Sequence, residues 1–135
     1  MEGCVLAGTN NLFTVECSDN VVRNCTIKGK VLKSEKEFYN PIAPGDVVQI
    51  EIDPLNDAKG QIISLNQRKN TFLRWNVKGR CPQLLASNLD YLILVTTPDE
   101  PPFRPRFTDR ALAQAEHQGI HMRSIRRGSE LFDFL

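Results

Sequence analysis

The sequence predicts a mainly β protein: a five-stranded barrel of the OB type, followed by an isolated strand and an α-helix. The clearest observation is the stretch 46–53, where apolar and polar residues alternate as in a strand with one buried face. A turn-rich stretch at 54–60 and an apolar run at 62–65 complete a hairpin. Similar turn signals recur upstream at short intervals, which is typical of small barrels. Periodicity alone does not separate an OB barrel from an SH3-like one.

Three short strands are predicted before this hairpin. Residues 5–7 form a short apolar run, and residues 12–17 alternate between apolar and polar positions. A Ser-Asp-Asn turn at 18–20 then predicts a hairpin whose second strand covers 21–28. No period is visible from 29 to 45, which predicts a mobile loop. Together with the central hairpin, these strands number five.

The second half of the chain has a different character. Residues 71–88 show no regular pattern and are interpreted as a connector. The run Y-L-I-L-V-T at 91–96 is continuously apolar, which favours a strand that is covered on both faces, as in a parallel sheet. The four prolines between 98 and 105 exclude regular structure there.

A single helix is predicted after the prolines. Thr108 is suited to be its N-cap, Asp109 brings a favourable charge to the first turn, and Gly119 is suited to end it. A strand, a loop and a helix are the opening of a βαβ unit. The second strand of that unit is not expected, because 121–128 carries three arginines where an apolar strand should begin.

Composition limits the possible functions. The formal net charge is +1, so nucleic-acid or membrane binding would need local segregation of charge. Hydrophobic residues make up 41% and charged residues 24%, which is ordinary for a soluble domain with one core. We expect a cytoplasmic protein without membrane association, because no apolar run approaches the roughly 20 residues that span a bilayer and the N-terminus lacks a basic start.

Cysteines and histidines do not form a recognisable metal motif. The cysteines lie at Cys4, Cys17, Cys25 and Cys81, without C-x-x-C spacing, and are predicted to be buried thiols rather than disulfides. His117 and His121 have the i, i+4 spacing of a metal pair, but Gly119 lies between them and should end the helix. Both histidines are therefore expected to be exposed to solvent.

Four sequence blocks carry a resemblance to a known family. They are Y-N-P-I-A-P-G-D-V-V at 39–48, I-S-L-N-Q-R-K-N at 63–70, A-S-N-L-D-Y-L-I-L-V at 86–95, and a P-R-F-x-D-R-x-L-x-x-A-E-x-x-G-I pattern at 105–120. In this order they resemble the N-terminal part of ribosome small subunit-dependent GTPase A, the circularly permuted GTPases of bacterial 30S assembly. The resemblance runs from about residue 4 to residue 120.

The resemblance implies a division of the chain. It predicts an OB-fold RNA-binding domain at 1–75, a linker at 76–89, the first strand and helix of a truncated α/β GTPase domain at 90–120, and a tail unlike the family at 121–135. The sequence contains no N-K-x-D, no G-x-x-x-x-G-K-[ST] and no cysteine/histidine cluster. GTP, Mg²⁺ and Zn²⁺ are thus expected only for full-length members, and this chain is not expected to be an enzyme, whereas its full-length parent would be a GTP hydrolase.

Without nucleotide-binding or metal-binding motifs, the functional signal that remains in the sequence is its distribution of charge. Two stretches, 20–34 and 61–89, carry cations without any acidic residue, so a near-neutral chain can present a basic face. With the resemblance, this predicts contacts to 16S rRNA of the 30S subunit, mostly through phosphates, with Trp75 stacking on a base. Arg68 and Lys69 are expected to be exposed. The predicted RNA-binding residues are Lys28, Lys30, Lys33, Arg68, Lys69, Arg74, Trp75, Lys78 and Arg80.

Other interpretations of the same residues stay open. Lysines along strands often form only a solvated surface, and Phe13 and Phe72 are expected to lie in the core. The OB domain could also be a general single-strand nucleic-acid binder or a protein-binding module. The apolar run at 91–96 is typical of a strand that has parallel neighbours on both sides. Because such neighbours are not predicted here, self-association through the incomplete GTPase segment is predicted as well.

Overall fold

A computed structural model describes residues 1–9, 11–32 and 37–126, which form two compact units that meet in sequence between Asn88 and Leu89. The first unit contains a closed barrel of five strands in the order β1-β2-β3-β5-β4. β3 and β5 are paired in parallel, and β1 closes the barrel against β4. The predicted OB-type fold is confirmed. The strands are β1 (Glu2–Thr9), β2 (Leu12–Cys17), β3 (Val22–Ile27), β4 (Val47–Asp53) and β5 (Asn56–Leu65).

The barrel core is formed by the residues that the alternation predicted. Val48 and Ile50 of β4 are buried, and so are Phe13 and Val15 of β2. They pack with Ile62 of β5 in one hydrophobic cluster. Closure of the barrel leaves these strands without open edges, which is what a sheet of this size needs to remain stable alone.

A buried arginine joins the β2–β3 turn to the start of β5. The side chain of Arg23 is only 2% exposed and donates two hydrogen bonds to the carboxylate of Asp19, at 2.8 and 2.7 Å. It also donates to the backbone oxygen and the carboxylate of Asp57, at 2.7 and 3.0 Å. The hydrogen bonds from Arg23 lower the pKa of Asp19 to about 2. The β2–β3 turn and the start of β5 are thereby joined by charge-assisted bonds.

The stretch predicted as an irregular connector is a β-hairpin. β6 (Thr71–Asn76) pairs antiparallel with β7 (Cys81–Ser87), so the expectation of an irregular connector at 71–88, with a linker at 76–89, is wrong. The register shifts between Phe72 and Leu73, and such a bulge hides the period of two in the sequence. The turn is stabilised locally, because the side chain of Asn76 accepts a hydrogen bond from the Gly79 N–H at 2.8 Å.

The second unit is a βαβ arrangement. Its elements are β8 (Tyr91–Thr96), α1 (Pro105–His117) and β9 (His121–Arg126), and the two strands pair in parallel with Tyr91 opposite His121. The predictions that β8 is isolated and that the tail begins at 121 without a strand are therefore wrong. Parallel pairing uses backbone groups, so an arginine is tolerated where its side chain is exposed. The guanidinium of Arg123 lies 5.1 Å from the centre of the Tyr91 ring.

The helix ends as predicted but begins earlier. Pro105 occupies its first turn and Arg104 is the N-cap, so Thr108 lies inside the helix rather than capping it. Gly119 has a φ of +68°, and the N–H groups of Gly119 and Ile120 donate to the carbonyls of Glu116 and Ala115. This pair of bonds is the Schellman pattern that favours glycine at this position. Among the described residues, no helix combines the length and apolar character needed to cross a bilayer.

One face of β8 is not covered. Tyr91, Ile93 and Val95 are 53%, 56% and 62% exposed, whereas the prediction for this run was burial on both faces. The alternate residues Leu92 and Leu94 are partly buried, and Ala111 and Ala115 of the helix are buried. The helix therefore shields a single face, and the continuous apolar run leaves the other in contact with solvent.

Candidate nucleic-acid interface

The most exposed group of predicted RNA-binding residues lies at the end of the β6–β7 hairpin. We define the hairpin tip as residues 74–80, the end of β6 and the turn that follows. Trp75 is 63% exposed and Val77 is 79% exposed. No acidic residue occurs between Asp57 and Asp90 in the sequence, so the tip carries cations only. Its exposed cations are Arg74, Lys78 and Arg80.

The hairpin is held in place by the segment that precedes β4. The N–H of Tyr39 donates to the Pro82 carbonyl at 2.7 Å. The Asn40 side chain accepts from the Leu84 N–H at 2.8 Å and donates to the Leu84 carbonyl at 3.0 Å. These bonds satisfy polar backbone groups of β7 on the side away from β6. The tip is therefore an extension of a fixed strand pair.

The base of the hairpin is joined to the barrel through a buried carboxylate. Asp46 has no exposed surface, and its two oxygens accept from Arg68 Nε and Nη2 at 2.7 and 2.8 Å. It also accepts from the Ala43 N–H at 2.9 Å and from the hydroxyl of Ser87 at the end of β7. We call these three side chains, Asp46, Arg68 and Ser87, the Asp46 cluster. It connects the exit of β5, the entry of β4 and the exit of β7.

Arg68 is not the exposed cation that the sequence predicted. Its side chain is 11% exposed and donates to Asp46 and to the Pro41 carbonyl, so the expectation of an exposed cation is wrong. A buried carboxylate needs a paired cation, and Arg68 is placed to supply it. The sequence held a signal for this: Asp46 has the same parity as the buried Val48 and Ile50, so the alternation itself places a charge inside.

A glycine allows the close approach of β7 to the barrel. Gly45 has a φ of +91°, and a Cβ built on it would lie 2.1 Å from the Ser87 carbonyl oxygen. Its own carbonyl accepts a hydrogen bond from the Asn88 side chain at 2.8 Å. A larger residue at this position would force the hairpin base away from the barrel.

The other predicted cations are distributed over the first unit. Lys28 follows β3 and its Nζ lies 2.6 Å from Glu51 in an exposed ion pair. Lys30 is exposed in the next turn, and Lys33 lies outside the described residues. Lys69 is exposed, and its backbone N–H donates to Asn88 at 2.8 Å. Arg74 donates to Gln83 across the hairpin at 3.1 Å. The structure brings Arg74, Trp75, Lys78 and Arg80 together on one hairpin.

The aromatic residues near these cations differ in exposure. Phe13 is buried in the barrel core, as predicted, and Phe72 is partly buried. Phe38 is partly buried beneath Arg68, whose guanidinium lies 5.8 Å from the ring centre. Tyr39 is 54% exposed and its ring lies against the hairpin turn. A Cβ built on Gly79 would be 2.6 Å from Tyr39 Cδ2.

The cysteines and histidines show no sign of a metal site in the part of the chain that the structure describes. All four thiols are free; Cys17 and Cys25 are buried and Cys4 and Cys81 partly so. Burial raises the pKa of the Cys25 thiol to about 11, which keeps it protonated and unreactive at neutral pH. The histidines at 117 and 121 are exposed, as predicted.

Comparison with known protein families identifies relatives over most of the chain. A model of the RsgA GTPase family matches residues 65–125. The small ribosomal subunit biogenesis GTPase RsgA of Borrelia recurrentis is 38% identical over 117 residues, which are 86% of this chain and 37% of that protein. The protein of the same name from Flavobacterium johnsoniae is 37% identical over 122 residues, covering 89% of this chain and 38% of that protein. The chain thus spans little more than a third of these relatives.

Two solved structures share the fold. YjeQ from Thermotoga maritima superposes with a TM-score of 0.66 at 24% identity, covering 98% of this chain and 42% of that one. YloQ, described as a circularly permuted GTPase, superposes with a TM-score of 0.59 at 23% identity, covering 93% of this chain and 39% of that one. These structures show the fold alone, and the resemblance found in the four sequence blocks is confirmed by the family model and the two sequence relatives.

Proposed function

We propose, from the premise that this chain is a relative of the RsgA GTPases of small ribosomal subunit biogenesis, that it acts as their RNA-contacting OB module. The module would dock on 16S rRNA of the 30S subunit through its basic residues. The observation that carries the proposal is the hairpin tip, where Arg74, Trp75, Lys78 and Arg80 are exposed together without an acidic residue. Such a surface attracts phosphates and offers a ring to unpaired bases.

The arrangement of charge in the first unit supports this choice of surface. Asp19, Asp46, Asp57 and Glu51 each form an ion pair with a cation of the same unit. The hairpin cations Arg74, Lys78 and Arg80 are separated from these acids in sequence, and their side chains are exposed. Since Arg68 serves the Asp46 cluster, we remove it from the proposed contacts. The proposed contacts are Lys28, Lys30, Lys33, Lys69, Arg74, Trp75, Lys78 and Arg80.

The contacts would be mostly to phosphates, so affinity should depend strongly on salt. If about five side chains each neutralise one phosphate, the logarithm of the affinity should fall with the logarithm of salt concentration at a slope of about −3.5 to −4.5. Sequence preference should be slight, because phosphate contacts carry no base information. A protein-binding module would show a much weaker salt dependence.

Co-sedimentation with 30S subunits over a salt series tests the proposal. The double variant Lys78→Glu/Arg80→Glu should bind weakly and reduce the slope by about 2 in magnitude, because two phosphate contacts are lost. A matched control is Arg106→Glu/Arg110→Glu on α1, which changes the net charge equally on another exposed surface. Equal weakening by both double variants would indicate a general charge effect and refute docking through the hairpin.

Guanine nucleotide chemistry would belong to other parts of a full-length RsgA protein. The sequence lacks the Gly-rich loop that cradles phosphates and the N-K-x-D element, so we propose that this chain binds no GTP and requires neither Mg²⁺ nor Zn²⁺. Titration with a fluorescent GTP analogue should give no saturable signal. Binding in the micromolar range that unlabelled GDP displaces would overturn this part of the proposal.

A general single-strand nucleic-acid binder is the second candidate, and the exposed Trp75 favours it, since base stacking is tolerant of sequence and sugar. The two candidate functions differ in the nucleic acid that they should prefer. A ribosomal docking module should bind 30S subunits much more tightly than free single-stranded DNA at equal salt. Comparable affinities for both would favour the general binder.

A further inference from the structure

The hairpin tip has a second exposed ring beside Trp75. Tyr39 comes from the segment before β4, yet its backbone N–H bonds to Pro82, the residue opposite Trp75 in the β6–β7 ladder. Its ring lies against the turn at Gly79, between Lys78 and Arg80 in sequence. Two aromatic side chains from distant parts of the sequence therefore lie at the same hairpin end.

The exposure of these rings is unusual for their chemistry. Trp75 is 63% exposed and Tyr39 is 54% exposed. Large aromatic rings that remain in solvent beside cations are typical of surfaces that bind a partner. The partner's chemistry follows from the neighbours: positive charges at 74, 78 and 80, and no acid from 58 to 89.

We infer that the hairpin tip is a two-ring platform for unpaired RNA, in which one base stacks on Trp75, another stacks on Tyr39, and Lys78 and Arg80 contact the phosphates between or beside them. This rests on the proposed function and adds to it the class of RNA. A base pair inside a duplex keeps its faces covered by neighbouring pairs, so only a single-stranded loop, bulge or end can offer its bases to both rings.

The platform makes a prediction that phosphate binding alone does not. Phosphate contacts would bind duplex and single-stranded RNA through the same cations, whereas stacking requires free base faces. The chain contains one tryptophan, so its fluorescence reports directly on Trp75. Stacking of a base on this ring should quench its emission.

The experiment titrates the full chain with a single-stranded hexauridylate or hexaadenylate RNA and follows tryptophan emission. The expected result is saturable quenching by the hexamers and little quenching by a blunt RNA duplex at the same nucleotide concentration. Replacement of one ring should weaken hexamer binding about 5- to 150-fold, the range that corresponds to the loss of one stacked base. For Trp75→Ala, which has no emission, a labelled hexamer measures binding by anisotropy.

Variants of Tyr39 separate stacking from other contributions. Tyr39→Leu should weaken hexamer binding, whereas Tyr39→Phe should retain it because the ring is preserved. Gly79→Ala should also weaken binding, since the added Cβ would lie 2.6 Å from Tyr39 Cδ2 and displace the ring without removing it. Val77→Ala is the matched control: Val77 is 79% exposed in the same turn but cannot stack. Thermal unfolding of each variant verifies that it folds.

Several outcomes would overturn the platform. They are the absence of quenching when anisotropy shows the hexamer bound, equal quenching by duplex and hexamer, or equal losses from Tyr39→Leu and Val77→Ala. Its failure is distinguishable from that of the proposed function: retained 30S binding with a normal salt slope and no quenching refutes only the platform. Quenching by hexamers without any 30S binding supports the platform and refutes the ribosomal role.

Discussion

Apolar residues in the strands of the two units differ in how far they are exposed to solvent. Ile50 in β4 is 2% exposed because the closed barrel surrounds it, whereas Ile93 in β8 is 56% exposed because the helix shields one face of a two-stranded sheet. Both residues lie in the middle of strands and are equally apolar. The difference shows that closure of a sheet, rather than strand sequence alone, determines how much of an apolar run is buried.

The units also differ in the burial and the binding partners of their arginines. In the first unit, Arg23 and Arg68 are almost fully buried and bound to carboxylates, so they stabilise turns and junctions. In the second, Arg123 is exposed and lies over a tyrosine ring. A basic residue of the first unit is therefore a candidate for ligand binding only where its side chain is exposed. Arg74, Lys78 and Arg80 of the hairpin tip are exposed, and so are Lys28, Lys30 and Lys69.

The largest effect is expected from breaking the Asp46 cluster. Asp46→Ala leaves the Arg68 guanidinium without its bidentate partner and the Ser87 hydroxyl without its acceptor, so we expect a loss of about 3–5 kcal/mol in the free energy of unfolding. Urea unfolding followed by circular dichroism measures this. Glu51→Gln is the matched control, because Glu51 forms an exposed pair with Lys28 and such pairs contribute about 0–1 kcal/mol.

A similar small loss in Asp46→Ala and Glu51→Gln would contradict the assignment of the cluster as the junction of hairpin and barrel. The conservative Asp46→Asn variant keeps the shape of the side chain but loses its charge. Its loss in the free energy of unfolding should lie between those of Asp46→Ala and Glu51→Gln. If it were fully stable, packing rather than the ion pair would hold the hairpin base.

The second prediction tests the contrast between the two isoleucines directly. Ile50→Ala should destabilise the first unit by about 2–5 kcal/mol, because it removes buried methyl groups and leaves a cavity in the barrel core. Ile93→Ala removes the same atoms from an exposed position and should change stability by about 0.5 kcal/mol or less. Denaturant midpoints of both variants measure the difference, and equal losses would show that the outer face of β8 is covered in solution.

The sequence predicted the barrel because its strands alternate with buried residues on one side, a pattern that any closed sheet imposes. It missed the β6–β7 hairpin because a bulge after Phe72 shifts the register and hides the alternation. It missed β9 because a parallel pair exposes one face, on which Arg123 is acceptable. Arg68 was misplaced because the partner that buries it, Asp46, is distant in sequence and close only in the fold.

The exposed face of β8 predicts weak self-association, in which a second copy of the chain covers this face. Tyr91, Ile93 and Val95 form an apolar row, and the two-stranded sheet of this unit leaves strand edges without neighbours among the described residues. Light scattering over a concentration series should show a rising mean mass that Ile93→Asp reduces. Leu55→Asp is the control, because Leu55 is 95% exposed as a single side chain in the β4–β5 turn. Equal curves for the wild type and Ile93→Asp would exclude this face.

The smallest effect is expected from the Arg23–Asp19 pair, which reports on one turn of the barrel. Because the folded-state pKa of Asp19 is about 2 and lies below the ordinary value of 3.8, the unfolded chain takes up a proton first as the pH falls. The stabilisation is therefore complete above about pH 4, declines as the pH falls toward 2, and is absent below both values. Denaturant midpoints of the wild type and Asp19→Asn, measured between pH 6 and pH 2.5, should differ most at the higher pH and converge at the lower. A constant difference across this range would mean that Asp19 acts through its hydrogen-bond geometry and not through its charge.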